Sequence, residues 1–168
     1  MNMNDAHKSF FYPCLRHIFV LFLVFDLLLA ASYLLYTQRD VMAKMVLEQK
    51  IQIEPADTHA RLKLGIKYSQ LGQYDRAIEE YEKVIGLDPS NEKAHFNLGV
   101  RYFEKGLFEQ AKQEFYQVLD LRPNHSGAHL GLGVVHAMKR EVNEALYHYK
   151  KLKQVNPLLA IKLFDMIS

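Results

Sequence analysis

At 168 residues the chain has room for one compact domain and an appendage. A formal net charge of +2 gives no electrostatic basis for binding nucleic acid or an acidic substrate. Cys14 is the single cysteine, which excludes an internal disulfide and a cysteine metal cage.

The chain opens with a tail over residues 1–17, then an apolar stretch over 18–36 whose one charge is Asp26. Nineteen residues is about the length that crosses a bilayer as a helix. An Asp at the centre of such a helix costs roughly 3 kcal/mol, while each Leu, Ile, Phe or Val contributes about −0.3 to −0.6. Thirteen of those residues lie in the stretch, so insertion is favoured and a single transmembrane helix is expected. Ala30-Ala31-Ser32 offers the rival reading of a cleaved signal peptide, but the apolar run resumes at Tyr33-Leu34-Leu35-Tyr36. An ionisable residue within a span is a functional hypothesis by default, so Asp26 is a candidate intramembrane contact with another helix. Positive charges flank the stretch on both sides (Lys8 and Arg16 before it, Arg39, Lys44 and Lys50 after it) and leave its orientation open.

Residues 37–54 contain neither Gly nor Pro. Moved forward by 34 positions, Ala43 falls on Ala77, Leu47 on Tyr81 and Ile53 on Leu87. The segment reads either as a capping helix for the region C-terminal to it or as an ordinary juxtamembrane helix.

From there the pattern is periodic. Pro55, Pro89, Pro123 and Pro157 stand 34 residues apart. Between them LGIKYSQLGQYDRAIEEYEKVIGLDP, LGVRYFEKGLFEQAKQEFYQVLDLRP and LGVVHAMKREVNEALYHYKKLKQVNP begin at Leu64, Leu98 and Leu132. A fixed period of this size marks a stacked repeat. Each unit predicts two helices, in the first roughly 58–71 and 74–85. Leu64, Tyr68, Ala77 and Tyr81 recur in kind one period on and, with His136 for the tyrosine, two periods on, placing them on inner faces. Gly72 and Gly106 mark the turns between helices; Arg140 stands there in the third unit. Glu79, Glu80 and Glu82 read as a solvated face. Residues 158–168, LLAIKLFDMIS, predict a capping helix more apolar than a cap needs, hence a further contact surface.

The three periods resemble the tetratricopeptide family over residues 55–157, in units of about 58–91, 92–125 and 126–159. The resemblance implies an all-α protein, a right-handed superhelix of three helix-turn-helix repeats preceded here by the single N-terminal transmembrane helix. It also implies a concave groove that holds a partner's peptide. The matching positions are His59, Leu62, Lys63 and Ile66 of the first repeat, Lys93, Phe96, Asn97, Val100 and Phe103 of the second, and Leu130 and Val134 of the third. Their apolar character suits an apolar peptide or an amphipathic helix. A branch of the family grips a chaperone's terminal carboxylate with Lys, Asn and Arg. At those positions stand Leu62, Ile66, Asn97, Gly127 and Gly131, of which only Asn97 fits.

No nucleophile–base pair, phosphate-cradling loop or metal-ligand spacing is present, so neither enzyme activity nor a cofactor is expected. His125 and His129, four apart, have no further ligand beside them. The reading that results is a membrane-anchored scaffold binding a protein partner during assembly of a membrane or envelope complex. Its repeats are expected on the non-cytoplasmic side, the periplasm in a bacterium. The alternatives are a self-assembling structural protein, with a homo-oligomer, and a non-catalytic subunit of a membrane enzyme.

Overall fold

The computed structural model describes residues 3–167; the side chains of residues 3–20, 36 and 37 lie outside that description, and with them the readings of Lys8, Cys14, Arg16 and Tyr36. Eight helices and no strand occur among the described residues: α1 (Met3–Ile53), α2 (Thr58–Gln70), α3 (Tyr74–Leu87), α4 (Glu92–Glu104), α5 (Phe108–Leu121), α6 (Ser126–Met138), α7 (Val142–Val155) and α8 (Pro157–Ile167). Two compact units divide the chain, one ending at Met45 and one beginning at Val46.

The first unit holds α1 up to Met45, and the last turns of that helix, from Val46, belong to the second unit. From Leu21 to Leu35 every side chain is exposed, and the helix from Leu21 to Ile53 is long and apolar enough to cross a membrane by length and composition.

In the second unit α2–α3, α4–α5 and α6–α7 form pairs, each pair packs on the next, and α8 lies against both α6 and α7. The helix starts are set locally. Asp57, Asn91 and His125 accept the N–H groups of Ala60, Ala94 and Ala128 at 2.8, 3.2 and 3.0 Å, each satisfying an orphan donor of an N-terminus. Asn156 does the same for α8 through Leu159 at 3.2 Å. The turns inside the pairs close by a Schellman arrangement, in which Gln73, Leu107 and Glu141 donate to the carbonyls of Tyr68, Tyr102 and His136 at 2.9 Å. That turn needs a left-handed residue: Gly72 and Gly106 lie at φ 71° and 74°, and Arg140 at 59°.

Pro55, Pro89 and Pro123 stand in the turn two residues before the helix caps at 57, 91 and 125 and do not open the helices; only Pro157 is a first helical residue. The carbonyls of the first three accept hydrogen bonds from side chains of α2, α4 and α6.

Small residues decide how closely the pairs approach. A Cβ at Gly99 would sit 2.9 Å from the Cε1 of Phe115, and one at Gly131 would sit 2.5 Å from its Cε2. One edge of the Phe115 ring therefore rests on its own repeat and the other on the next, and the residue is 2 % exposed. Gly65 receives Tyr81 in the same way, but Gly133 receives Leu163 of α8 instead of an aromatic ring from α7. At the other end Leu47 and Ile51, in the last turns of α1, pack on the cluster of Leu64, Tyr68 and Tyr81.

Candidate binding face and the polar ladders behind it

The residues the sequence singled out divide by burial. On α2, His59, Lys63 and Ile66 are exposed, while Leu62 belongs to the core at 8 %. On α4, Lys93 is exposed and Phe96, Asn97, Val100 and Phe103 are half-buried. Phe96 packs at a tilt against His125 (centroids 4.8 Å) and Phe115 (6.0 Å), and Phe103 against Phe108 (5.7 Å), so each ring offers only part of its surface. Leu130 and Val134 of α6 pack against the cluster of Leu152, Ala160 and Leu163, to which α8 contributes. Phe96, Val100 and Phe103 pack in the same way against the cluster of Ala111, Phe115 and Leu132, so half-buried apolar surface runs along α4 and α6 alike, and Ile66 of α2 is the one exposed apolar side chain of the predicted set. Asp26 is exposed on α1, in the other unit.

Behind this face run two periodic ladders that the sequence pattern does not reveal. The first joins the helices of each pair. Arg61 donates to Glu80 at 2.9 Å, His95 Nδ1 faces Glu114 at 2.7 Å, and His129 Nδ1 faces His148 Nδ1 at 3.0 Å. All three A-helix residues also reach back to a period proline: Arg61 to the Pro55 carbonyl at 2.7 Å, His95 to Pro89 at 3.0 Å and His129 to Pro123 at 2.9 Å. One side chain per repeat therefore ties the entering turn to both helices. Glu80, read from sequence as part of a solvated face, is 7 % exposed and also accepts from Lys83 at 2.7 Å; the ladder is what permits its burial.

The second ladder joins each A helix to the helix before its repeat. Tyr68 donates to Glu48 at 2.6 Å and Tyr102 to Glu82 at 2.8 Å, while His136 Nε2 lies 3.4 Å from the Tyr116 hydroxyl. Burial, and then the carboxylate each hydroxyl faces, pushes Tyr68 and Tyr102 up to about 12. Glu48 occupies in α1 the place Glu82 occupies in α3.

In the third repeat both ladders end in histidine. The His129 Nε2–H donates to the Pro123 carbonyl, which leaves Nδ1 as acceptor, so the Nδ1–H of His148 donates to it. His136 stacks on His148 (5.7 Å, 11°) and its Nδ1 lies 2.5 Å from Glu141. Burial first, then the charges of His129 and His136, pushes His148 down to about 4; burial likewise lowers His129. Among the described residues no group of three or more His, Cys, Asp or Glu could hold a metal ion, and no buried side-chain polar atom lacks a partner.

Paired helices with Gly turns and an aromatic-on-glycine contact are matched by two repeat-family models, "TPR repeat" over residues 65–106 and "Tetratricopeptide repeat" over residues 99–157. The repeats are tetratricopeptide repeats. Solved structures agree in fold. MamA is 22 % identical at a TM-score of 0.65, covering 74 % of this chain and 78 % of that one. The MamA AMB-1 structure is 30 % identical at 0.62, over 68 % and 62 %. The first TPR of Spaghetti (RPAP3), bound to an HSP90 peptide, is 24 % identical at 0.61, over 65 % and 89 %. A tetratricopeptide repeat protein from Parabacteroides merdae is 21 % identical at 0.71, over 76 % and 52 %. No curated protein matches. The tetratricopeptide fold is that of a protein-interaction scaffold.

Proposed function

We propose that this tetratricopeptide protein is a non-catalytic, membrane-anchored scaffold that binds an apolar peptide or amphipathic helix of a protein partner during assembly of a membrane or envelope complex. The observation that carries the reading is the partly open apolar surface along the A helices, which includes Leu130 and Val134 of the third. Ile66 is 37 % exposed, and Phe96 and Val100 are half-buried beside the exposed cations Lys63 and Lys93. The anchor is supported by the exposed apolar run of α1 from Leu21 to Leu35, and Asp26, exposed within it, is the candidate contact to another membrane helix. The repeats lie on the non-cytoplasmic side.

Crosslinked pull-downs from membranes test this with the intact protein and an Ile66→Glu/Lys63→Glu variant. Both positions are exposed, so the variant folds and loses its partner. An unchanged partner set sinks the reading of the face. Protease protection in sealed vesicles reports the side on which the repeats lie.

A second reading, self-assembly, rests on α8, where Leu158, Ile161 and Phe164 are 75, 59 and 46 % exposed. Loss of self-association on deleting α8, with the partner set unchanged, favours that reading.

A further inference from the structure

In the first two repeats the pair linking helix A to helix B includes a carboxylate, Glu80 or Glu114, opposite a cation or an imidazole. The third repeat has the same positions, the same proline carbonyl and the same geometry, but two imidazoles. Such a pair keeps its hydrogen bond only while His129 Nδ1 carries no proton, and it has no carboxylate to oppose a charge on either ring. A proton on His129 Nδ1 removes the acceptor, and a proton on His148 places an unopposed charge where the residue is 2 % exposed.

The surroundings do not compensate. From α5 comes Tyr116, its ring 6.4 Å from that of His148. From the turn before α6 comes His125, itself against Glu92 at 3.3 Å. On α6 stands His136, and at the turn after that helix Glu141, already bonded to His136. α7 carries the exposed Glu144, Tyr147 edge-on to His148 at 5.1 Å, and Lys151, whose charge opposes protonation of His129. Of α8 the charged groups are Lys162 and Asp165, both exposed.

We propose that the His129–His148 pair is a proton-sensitive latch: proton uptake by the pair opens α6–α8 while the first two repeats stay folded. The consequence for the molecule is large because Leu163 seats α8 on Gly133, and Leu130 and Val134 are covered by the same packing. Opening would uncover the apolar surface of the third repeat. The inference stands apart from the partner reading, since it concerns the stability of one repeat.

Linkage sets the direction. The folded form holds His148 at about 4 against an ordinary 6.5, so the neutral pair stabilises fully above 6.5 and loses that contribution as the pH falls from 6.5 toward 4. Between pH 7 and pH 5 the opening equilibrium rises about 20-fold through His148 alone.

Amide hydrogen exchange on the full-length protein at pH 7 and pH 5, corrected for intrinsic rates, tests this segment by segment. The expected result is an opening increase of about 20-fold confined to α6–α8. Made with His125→Asn, which keeps an acceptor at the α6 cap and removes the imidazole there, His148→Glu installs the carboxylate of the other two repeats and abolishes that acid step. In the same His125→Asn background, His129→Arg/His148→Glu rebuilds the first repeat's pair and does the same, and serves if the first variant does not fold. Equal acid opening across α2–α8 in the unmodified protein, or an acid step persisting in a folded variant, overturns the proposal.

Discussion

Replacing Gly131 by alanine puts the inter-repeat packing to a quantitative test. The added methyl would lie 2.5, 2.7 and 2.9 Å from three atoms of the Phe115 ring. The ring has no free direction, because its opposite edge already lies at 2.9 and 3.0 Å from where a Cβ on Gly99 would stand. Overpacking of this kind costs about 1–3 kcal/mol. Against it, alanine is the better helix former by roughly 1 kcal/mol. The control is Gly86→Ala, also within a helix, where a Cβ meets nothing within 4 Å and only the propensity gain remains. Subtracting the two removes propensity to first order and leaves a difference of about 1–3 kcal/mol in favour of Gly86→Ala. Urea unfolding followed by circular dichroism gives both midpoints, with the slope checked for constancy. Adding Phe115→Leu to Gly131→Ala should recover part of the loss, a non-additivity expected only if the ring is the obstacle. A Gly131→Ala protein as stable as Gly86→Ala would refute the wedge.

Four further outcomes are expected. Arg140→Gly should raise the thermal midpoint by relieving a left-handed arginine, with about 1 kcal/mol gained after glycine's extra chain entropy is deducted. Arg61→Ala strands the buried Glu80 and costs about 3 kcal/mol, near the lower end for a broken buried pair because Lys83 remains; Arg61→Ala/Glu80→Leu should restore part of it. Leu163→Ala empties a site that is 0 % exposed and should cost about 2–5 kcal/mol, seen as loss of exchange protection in α8 first. Global stability should fall by about 2 kcal/mol more between pH 7 and pH 5 in the unmodified protein than in His148→Glu, because a His held below its ordinary value favours the folded state only while neutral.

Much of the fold is legible in the chain because its determinants are local. The recurrence of Leu64, Gly65, Tyr68, Gly72, Ala77 and Tyr81 at 34-residue intervals specifies two helices, the turn between them and the faces that meet. Capping by Asp57, Asn91 and His125 acts within three residues, so its effect does not depend on distant parts of the chain. The binding face is only partly legible. The resemblance to tetratricopeptide repeats assigns Leu62, Phe96 and Leu130 to one stripe, but it does not say how far a neighbouring helix overlaps that stripe. The overlap depends on side-chain volumes on the other helix, and it buries Leu62 and draws Leu130 into the packing around Leu163.

Period, helices and turns are thus properties of the chain alone, since backbone propensity and hydrophobic spacing act over a few residues. Which polar groups meet is settled by the packing of whole helices. Glu80 reads like Glu79 and Glu82 until α2 brings Arg61 to it across 19 residues. His129 and His148 are likewise unrelated in sequence until the pair of helices closes on them. The physical reason is that a buried ion pair or imidazole pair needs a water-free site, which strengthens the attraction that must offset the cost of desolvation, and a geometry fixed to a few tenths of an ångström. Those arise only when two helices are already packed.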